Sequence, residues 1–438
     1  MKEISGWGRY PVVRAHEHEA EDLEAASADA ALSRGLGRSY GDASLPARGT
    51  ALCTRCADRI LSFDAETGIL RAEAGLSLRA LNEIFPARGW ATPVSPGTQY
   101  VTLGGMVASD VHGKNHHVAG CFGEHVRALR MRVGDGRVLE IDDASEPDLF
   151  RATLGGMGLT GHVLEVEVQL ERIPSCWIRG RTERVQDFDE LIAALRSASA
   201  RSPFAAAWVD TTARGRSLGR GIVTSGRYAE QHEAPAAPPR ARERLAVPFD
   251  LPGWVMDSWS IQLFNTLWFR THRGHSGDRI VHPQAFFYPL DGIRHWNRLY
   301  GRRGMVQYQC VVPGRDGGGV FRRLLEVVSR MGGASPVSVI KDCGAEGKGT
   351  LSFPMAGMSL ALDFPYRAEH TQAVVDALNE LVIEAGGRIY LSKDALTRRH
   401  HFAAMEPRLA RWNEVRRKWD PDRRLASALA QRLLDPAP

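Results

Sequence analysis

The sequence predicts an α+β protein of two domains, and three observations lead there. The chain has 438 residues, enough for two or three cores at roughly 100–200 residues per domain. From about residue 10 to 175, short β-like runs alternate with glycine-rich turns; beyond Arg172-Ile173-Pro174 the glycines thin out and helical spacing of apolar residues takes over. Hydrophobic residues at 43% and charged residues at 24% lie in the ordinary globular range, which excludes a disordered or fibrous chain.

Taken in order, residues 68–72 and 126–133 read as strands, and 163–170 shows clear period-two alternation. A domain boundary is expected near residue 176, followed by a helix over 188–197. Residues 234–239 (Ala-Pro-Ala-Ala-Pro-Pro) form a surface loop within the second domain. The aromatic-rich runs 285–288 and 305–312 read as strands, and 319–331 and 370–385 as helices, the latter stopped by Gly386-Gly387. From Arg388 a charged helical tail runs to Leu434 and can pack back on the first domain. No internal repeat is present.

Lys+Arg 56 against Asp+Glu 51 leaves +5 over the whole length, too dilute to argue for nucleic acid. Only Lys2, Lys114, Lys341, Lys348, Lys393 and Lys418 are lysine, so arginine supplies the generic positive charge and each lysine is an unusual choice. Either genome composition or a need for ammonium chemistry accounts for them. Six scattered cysteines are too sparse for a disulfide framework and suit a reducing compartment. Without the apolar region of a signal peptide or a stretch of ~18 apolar residues, a cytoplasmic protein is expected, with membrane association left open.

The densest glycine signal is Gly35-Leu36-Gly37-Arg38-Ser39-Tyr40-Gly41-Asp42. Such a run lets backbone N–H groups approach an anion such as a diphosphate, although alone it is more often just a tight turn. Its GxGxxxG spacing and the turn that follows speak against a nicotinamide fingerprint. A second cluster runs from Ser95-Pro96-Gly97-Thr98 through Thr102-Leu103-Gly104-Gly105 and opens a small-residue helix ending near Ser109-Asp110. Then come His112-Gly113-Lys114-Asn115-His116-His117, and Gly155 to Gly161, whose backbone can lie flat against a planar ring. The histidines have no carboxylate at ligand spacing, Cys53 and Cys56 form a lone CxxC, and no GxSxG is present, so no metal site, redox pair or serine nucleophile is assigned.

These motifs, in this order, resemble the FAD-linked oxidases of the vanillyl-alcohol oxidase and p-cresol methylhydroxylase (PCMH) type, and most of all the decaprenylphosphoryl-β-D-ribose oxidase family. The similarity continues through Asn297 to Gly301, Val306 to Gln309, Leu351 to Pro354, Asp363-Phe364-Pro365, Ser392-Lys393-Asp394 and Val415 to Lys418. It implies a two-domain PCMH-type fold: an FAD-binding domain over residues 1–176, a substrate-binding domain with an antiparallel sheet over 177–388, and a C-terminal segment, 389–438, packing back on the FAD domain. By the resemblance, Gly35 to Gly41 wrap the diphosphate, with Pro96, Gly97, Thr98, Val101, Gly104 and Gly105 on its other side. Ser109, Val111, His112, Gly113, Asn115 and His117 run along the ribityl chain and the ring, Gly161 and Val163 line the adenosine side or the ring, and Tyr390 completes the wall. Relatives that tether flavin use a histidine in the first glycine motif; Arg38 stands there, which implies non-covalent FAD.

The implied activity is oxidation of a secondary ring hydroxyl of a polyprenyl-phosphate pentose, ribose C2 becoming a 2-keto sugar by hydride transfer to flavin N5. This would be the first step of an epimerisation to the arabinose form, completed by a separate NAD(P)H-dependent keto-reductase. Such chemistry needs a base for the hydroxyl proton and a cation near the developing charge. Lys393 and Lys114 resemble the active-site lysines, with His112 and Tyr40 close by, and the base stays open among the four. Tyr300, Gln307, Gln309, Lys341 and Tyr390 resemble the sugar-phosphate pocket; Gln307 and Gln309, two apart on a strand, share one face. Where mycobacterial members carry Asn and Cys, this chain has Ser359 and Ala361, so the pocket thiol is missing and the exact sugar and lipid carrier are open. The alternative is a soluble sugar, alditol or aldonolactone oxidase.

Overall fold

The computed structural model describes residues 1–240, 245–272, 276–314 and 318–435. Two sheet systems carry the architecture. The first is a five-stranded antiparallel sheet in the order Ile60–Phe63, Ile69–Glu73, Gly161–Gln169, Val126–Val133, Val138–Asp142. Alternation sets its buried face: Val126, Leu129, Met131 and Val133 point inward and the residues between them are more exposed. Helices Leu78–Ile84, Leu103–Ala108 and Pro147–Thr153 cover it, packing Leu81, Met106 and Phe150 into one core with Leu129 and Val166. A smaller four-stranded sheet stands beside it, where Leu32–Arg34 and Val12–Glu19 both run parallel to Thr50–Cys53.

The second system is an eight-stranded antiparallel sheet. Its order is Ser276–Val281, Ile178–Val185, Gly221–Tyr228, Phe204–Val209, Ser338–Cys343, Gly357–Pro365, Met305–Pro313, Arg388–Ile389. Helices Phe188–Arg201, Gly319–Met331 and Glu369–Glu384 cover one face, burying Leu191, Leu324 and Leu378 against Tyr308, Cys310 and Leu360. Asp187 caps the first by accepting from the Asp189 and Glu190 N–H groups. Gly386, at φ 67°, ends the third in the left-handed conformation that glycine tolerates. The opposite face of the sheet, bearing Gln307, Gln309, Lys341 and Ala361, looks into a cavity.

One expected strand is a helix. Residues 285–288 fall within the helix Pro283–Phe287 and its C-cap: His282 accepts from the Gln284 N–H, and Pro283 supplies the fixed φ of a first helical position. Phe286 and Phe287 pack edge-on to Phe204, so the aromatic run reflects core packing and not strand preference.

Past Arg388–Ile389 the chain returns to the first sheet system. Helix Leu409–Trp419 buries Trp412, whose Nε1 donates to Ala152 O at 2.9 Å, and Ala426 N donates to Ala31 O. Arg432 then staples two distant segments. Its Nε and Nη2 grip both oxygens of Asp42 at 2.8 Å, and its Nη1 lies 2.8 Å from Asp394 Oδ2 and 2.7 Å from Thr397 O. Both carboxylates are almost fully buried.

Candidate active site

A single cavity of about 1590 Å³ runs from the glycine-rich turn after Leu32–Arg34 to the inner face of the eight-stranded sheet. Its first wall is Gly35, Leu36, Gly37, Arg38, Ser39 and Tyr40, its second Pro96, Gly97, Thr98, Val101, Gly104 and Gly105; Ser109, Val111, His112, Gly113, Gly158, Gly161 and Val163 continue it. Two glycines are required by close approach. A Cβ on Gly35 would lie 2.3 Å from Thr102 Oγ1, and Gly37 has φ 62° with the Arg34 guanidinium where a side chain would stand. Among the described residues, nothing accepts from the backbone N–H groups of Leu36, Gly37, Arg38 and Ser39. Unpaired donors beside a cavity suit a diphosphate. Asp291 fixes the facing loop, accepting from Thr98 Oγ1 and Gln99 N at 2.8 Å each. Arg38 stacks over Trp7, 4.1 Å from its centroid. Volume, donors and glycines together fit a flavin dinucleotide with room for a second ligand.

Beyond this cradle the polar side chains converge. Lys341 Nζ lies 3.0 Å from His112 Nδ1, and the Gln309 amide lies 3.0 Å from His112 Nε2. Burial, and next the charge of Lys341, hold the His112 pKa well below its ordinary value, so the ring is neutral. With Nδ1 accepting from an ammonium, the ring proton sits on Nε2, and the Gln309 amide nitrogen placed 3.0 Å from it must exchange with the amide oxygen for that proton to be accepted. Burial pulls Lys341 and Lys114 down to about 8. Lys114 donates to Phe286 O and lies over that residue's ring. Tyr390 Oη donates to Ser109 O at 2.9 Å, and its ring stacks on Phe353.

Lys393 is the most perturbed lysine. It lies over the Tyr40 ring, 4.0 Å from the centroid. Burial pulls it down to about 7, partly offset by the carboxylate of Asp363, while burial pushes Asp363 up to about 7. Asp363 Oδ1 accepts from Gln307 Nε2, its partner directly across the sheet. Tyr300 Oη, Gln307 Oε1 and Asp363 Oδ2 are buried with no partner among the described residues. Asp363 had no role from sequence; its signal was the Asp-Phe-Pro motif, which carried the resemblance without assigning a function.

Four expected wall residues stand off the cavity. Gly41 packs on the Asp394 backbone, where a Cβ would come within 1.9 Å of the carbonyl oxygen. Asn115 turns away to donate to Pro93 O at 2.7 Å, and His117 reaches Ser202 O at 3.0 Å through Nε2. Ser359 pairs across the sheet with Lys341 and is fully buried, leaving Ala361 as the wall residue of its strand.

Residues 17–142 match the family model described as "FAD binding domain". With the cradle, this defines an FAD-dependent oxidoreductase. Decaprenylphosphoryl-β-D-ribose oxidase of Mycolicibacterium smegmatis is 33% identical over 99% of this chain and 97% of its own. The chain belongs to the decaprenylphosphoryl-β-D-ribose oxidase family. A Streptomyces coelicolor protein described as "Uncharacterized protein in mprA 5'region" is 35% identical over 82% of this chain and all of its own. L-gulonolactone oxidase of Mus musculus is 32% identical over only 26% of this chain and 25% of its own length. Among the described residues no helix is long and apolar enough to cross a membrane.

Proposed function

We propose that the enzyme oxidises C2 of a ribose carried on a polyprenyl phosphate, giving a 2-keto sugar that a separate NAD(P)H-dependent keto-reductase converts to the arabinose form. The domains follow the PCMH-type division at about residues 176 and 388, with FAD held non-covalently across Gly35 to Tyr40 and Pro96 to Gly105. One observation carries the substrate assignment. Tyr300 Oη and Gln307 Oε1, on the wall of the cavity that also holds Lys393, are buried polar atoms without partners. A buried orphan of this kind costs about 1–3 kcal/mol, and sugar hydroxyls, each both donor and acceptor, satisfy such groups.

Bound FAD supplies the hydride acceptor. Gln307 and Tyr300 orient the sugar. Lys393 Nζ, brought near neutrality by burial, takes the proton of the reacting hydroxyl, and Asp363 stabilises the ammonium so formed. Lys341 holds His112 neutral and fixed, and the Phe353–Tyr390 stack shields this end of the cavity from water.

The test is anaerobic. A short-chain polyprenyl-phosphoryl-ribose should bleach the flavin and yield a product two hydrogens lighter, whereas free ribose, alditols and aldonolactones should not. Bleaching by the free sugars alone would replace this substrate with the soluble alternative.

A further inference from the structure

Helix Ser258–Thr271 is inverted for a helix in water. Its buried stripe is Ile261, Asn265 and Phe269, and the centre of that stripe is polar: Asn265 Nδ2 donates to Asp210 Oδ1 at 2.9 Å and Ser335 O at 3.2 Å. The outward face carries Trp259, Leu263 and Leu267 at four-residue spacing, 59, 55 and 54% exposed. Phe264 and Trp268 form the adjoining ridge, and Trp254 of the preceding turn stacks parallel to Trp259 at 6.5 Å. A surface helix ordinarily turns its apolar stripe inward. A contiguous exposed patch of this kind marks a surface with a partner.

Charge and continuity identify the partner. Between Trp254 and Phe269 the one ionisable side chain is Asp257, which Arg367 neutralises at 2.6 Å. Among the described residues, exposed arginines stand near the patch: Arg270 on the helix, and Arg181 and Arg279 on strands lining the cavity that Phe264 and Trp268 also line, while the exposed Asp278 beside Arg279 is paired with Arg179. Two copies of this face would set arginine against arginine. Tryptophans flanking leucines, with arginines at the rim, match an anionic membrane interface. Ile261, Phe264 and Trp268 also line the cavity, so apolar surface runs from the outer face of the helix into the site.

We infer that this helix docks the enzyme on an anionic lipid bilayer, seating Trp254, Trp259, Leu263 and Leu267 among the headgroups and opening the cavity toward the acyl chains. A substrate anchored by its lipid then enters sugar first without its tail crossing water. The inference deepens the proposed lipid-linked substrate, but its test uses lipid alone. The holoenzyme should sediment with vesicles of phosphatidylcholine containing roughly 30% phosphatidylglycerol, and high salt should weaken the binding. Combining Trp259→Ser, Leu263→Ser and Leu267→Ser should retain flavin and lower the partition coefficient at least about tenfold. Ile60→Ser with Leu61→Ser, exposed apolar residues elsewhere on the surface, should leave it unchanged. Brominated lipid should also quench wild-type tryptophan fluorescence, a readout that needs no variant.

No vesicle binding, no quenching, or binding indifferent to the triple substitution would overturn the inference. So would a wild-type dimer that the substitutions split, which would assign the face to a second copy. If vesicles bind but polyprenyl-phosphoryl-ribose leaves the flavin oxidised, the docking surface stands and the substrate falls. Turnover of detergent-dispersed substrate by a protein that ignores vesicles gives the reverse.

Discussion

Replacing Asp363 with asparagine isolates the proton-transfer step. The amide is isosteric and its oxygen still accepts from Gln307 Nε2, so the pocket keeps its shape; what is removed is the negative charge. In the wild type that charge raises the pKa of Lys393 against burial and the repulsion of Lys341, leaving it at about 7. Loss of a neighbouring opposite charge lowers such a value by about 1–3 units. Asp363 is itself pushed up to about 7, so its charge acts on Lys393 from about neutrality upward. The neutral amine is the proton acceptor, so in Asp363→Asn the pH dependence of flavin bleaching by substrate should move to lower pH, and bleaching near neutrality should be faster than in the wild type. The wild-type rate should climb through pH 7, and the variant should reach its plateau about a unit lower. Stopped-flow reduction across pH 5–9 reads both. A midpoint that stays in place or rises would show that Lys393 is not the base or that Asp363 is not its counterion.

Other perturbations test the remaining parts. Lys393→Ala should stay yellow while losing about 10²–10⁴-fold in the rate of anaerobic bleaching; unchanged reduction kinetics would remove Lys393 from the reaction. Arg432→Met leaves Asp42 and Asp394 buried without their cation and should cost about 3–5 kcal/mol in denaturant unfolding, with weaker flavin retention. Thiol-directed inhibitors should form no adduct in the cavity because Ala361 offers no nucleophile, and Ala361→Cys should create one that peptide mapping locates to that strand. Acid precipitation should release the pigment into solution; pigment remaining with the precipitate would disprove non-covalent attachment.

Much of this site was legible in the sequence because its parts are local. The two glycine clusters declare themselves by spacing, and Gln307 and Gln309 declare a shared face by strand alternation, since each signal spans only a few residues. The lysines stood out because arginine supplies charge elsewhere: Lys114, Lys341 and Lys393 all line the cavity. What stayed hidden depends on the partner across a gap. Asp363 acquires its role from Gln307 on the neighbouring strand and from Lys393, and no window of sequence contains all three. Asn115 and His117 sit in the right motif, yet hydrogen bonds to Pro93 and Ser202 turn their side chains elsewhere. The helix Ser258–Thr271 has an amphipathic sequence whose orientation is fixed by long-range contacts, Asn265 with Asp210 and Ser335, Thr266 with Arg220, and Phe269 under Arg184 and Arg220, so periodicity reveals two faces without saying which one meets water.

The Arg432 staple has a consequence for how the enzyme is made. Asp42, at the end of the glycine turn, waits for a partner 390 residues away. At a synthesis rate of 5–20 residues per second, roughly 20–80 s separate the appearance of the two. During that interval the turn lacks the guanidinium that anchors it and joins it to the segment bearing Lys393. Firm flavin loading therefore belongs to the finished polypeptide and not to the nascent one, and a ribosome-stalled chain that ends before Arg432 would emerge without its colour.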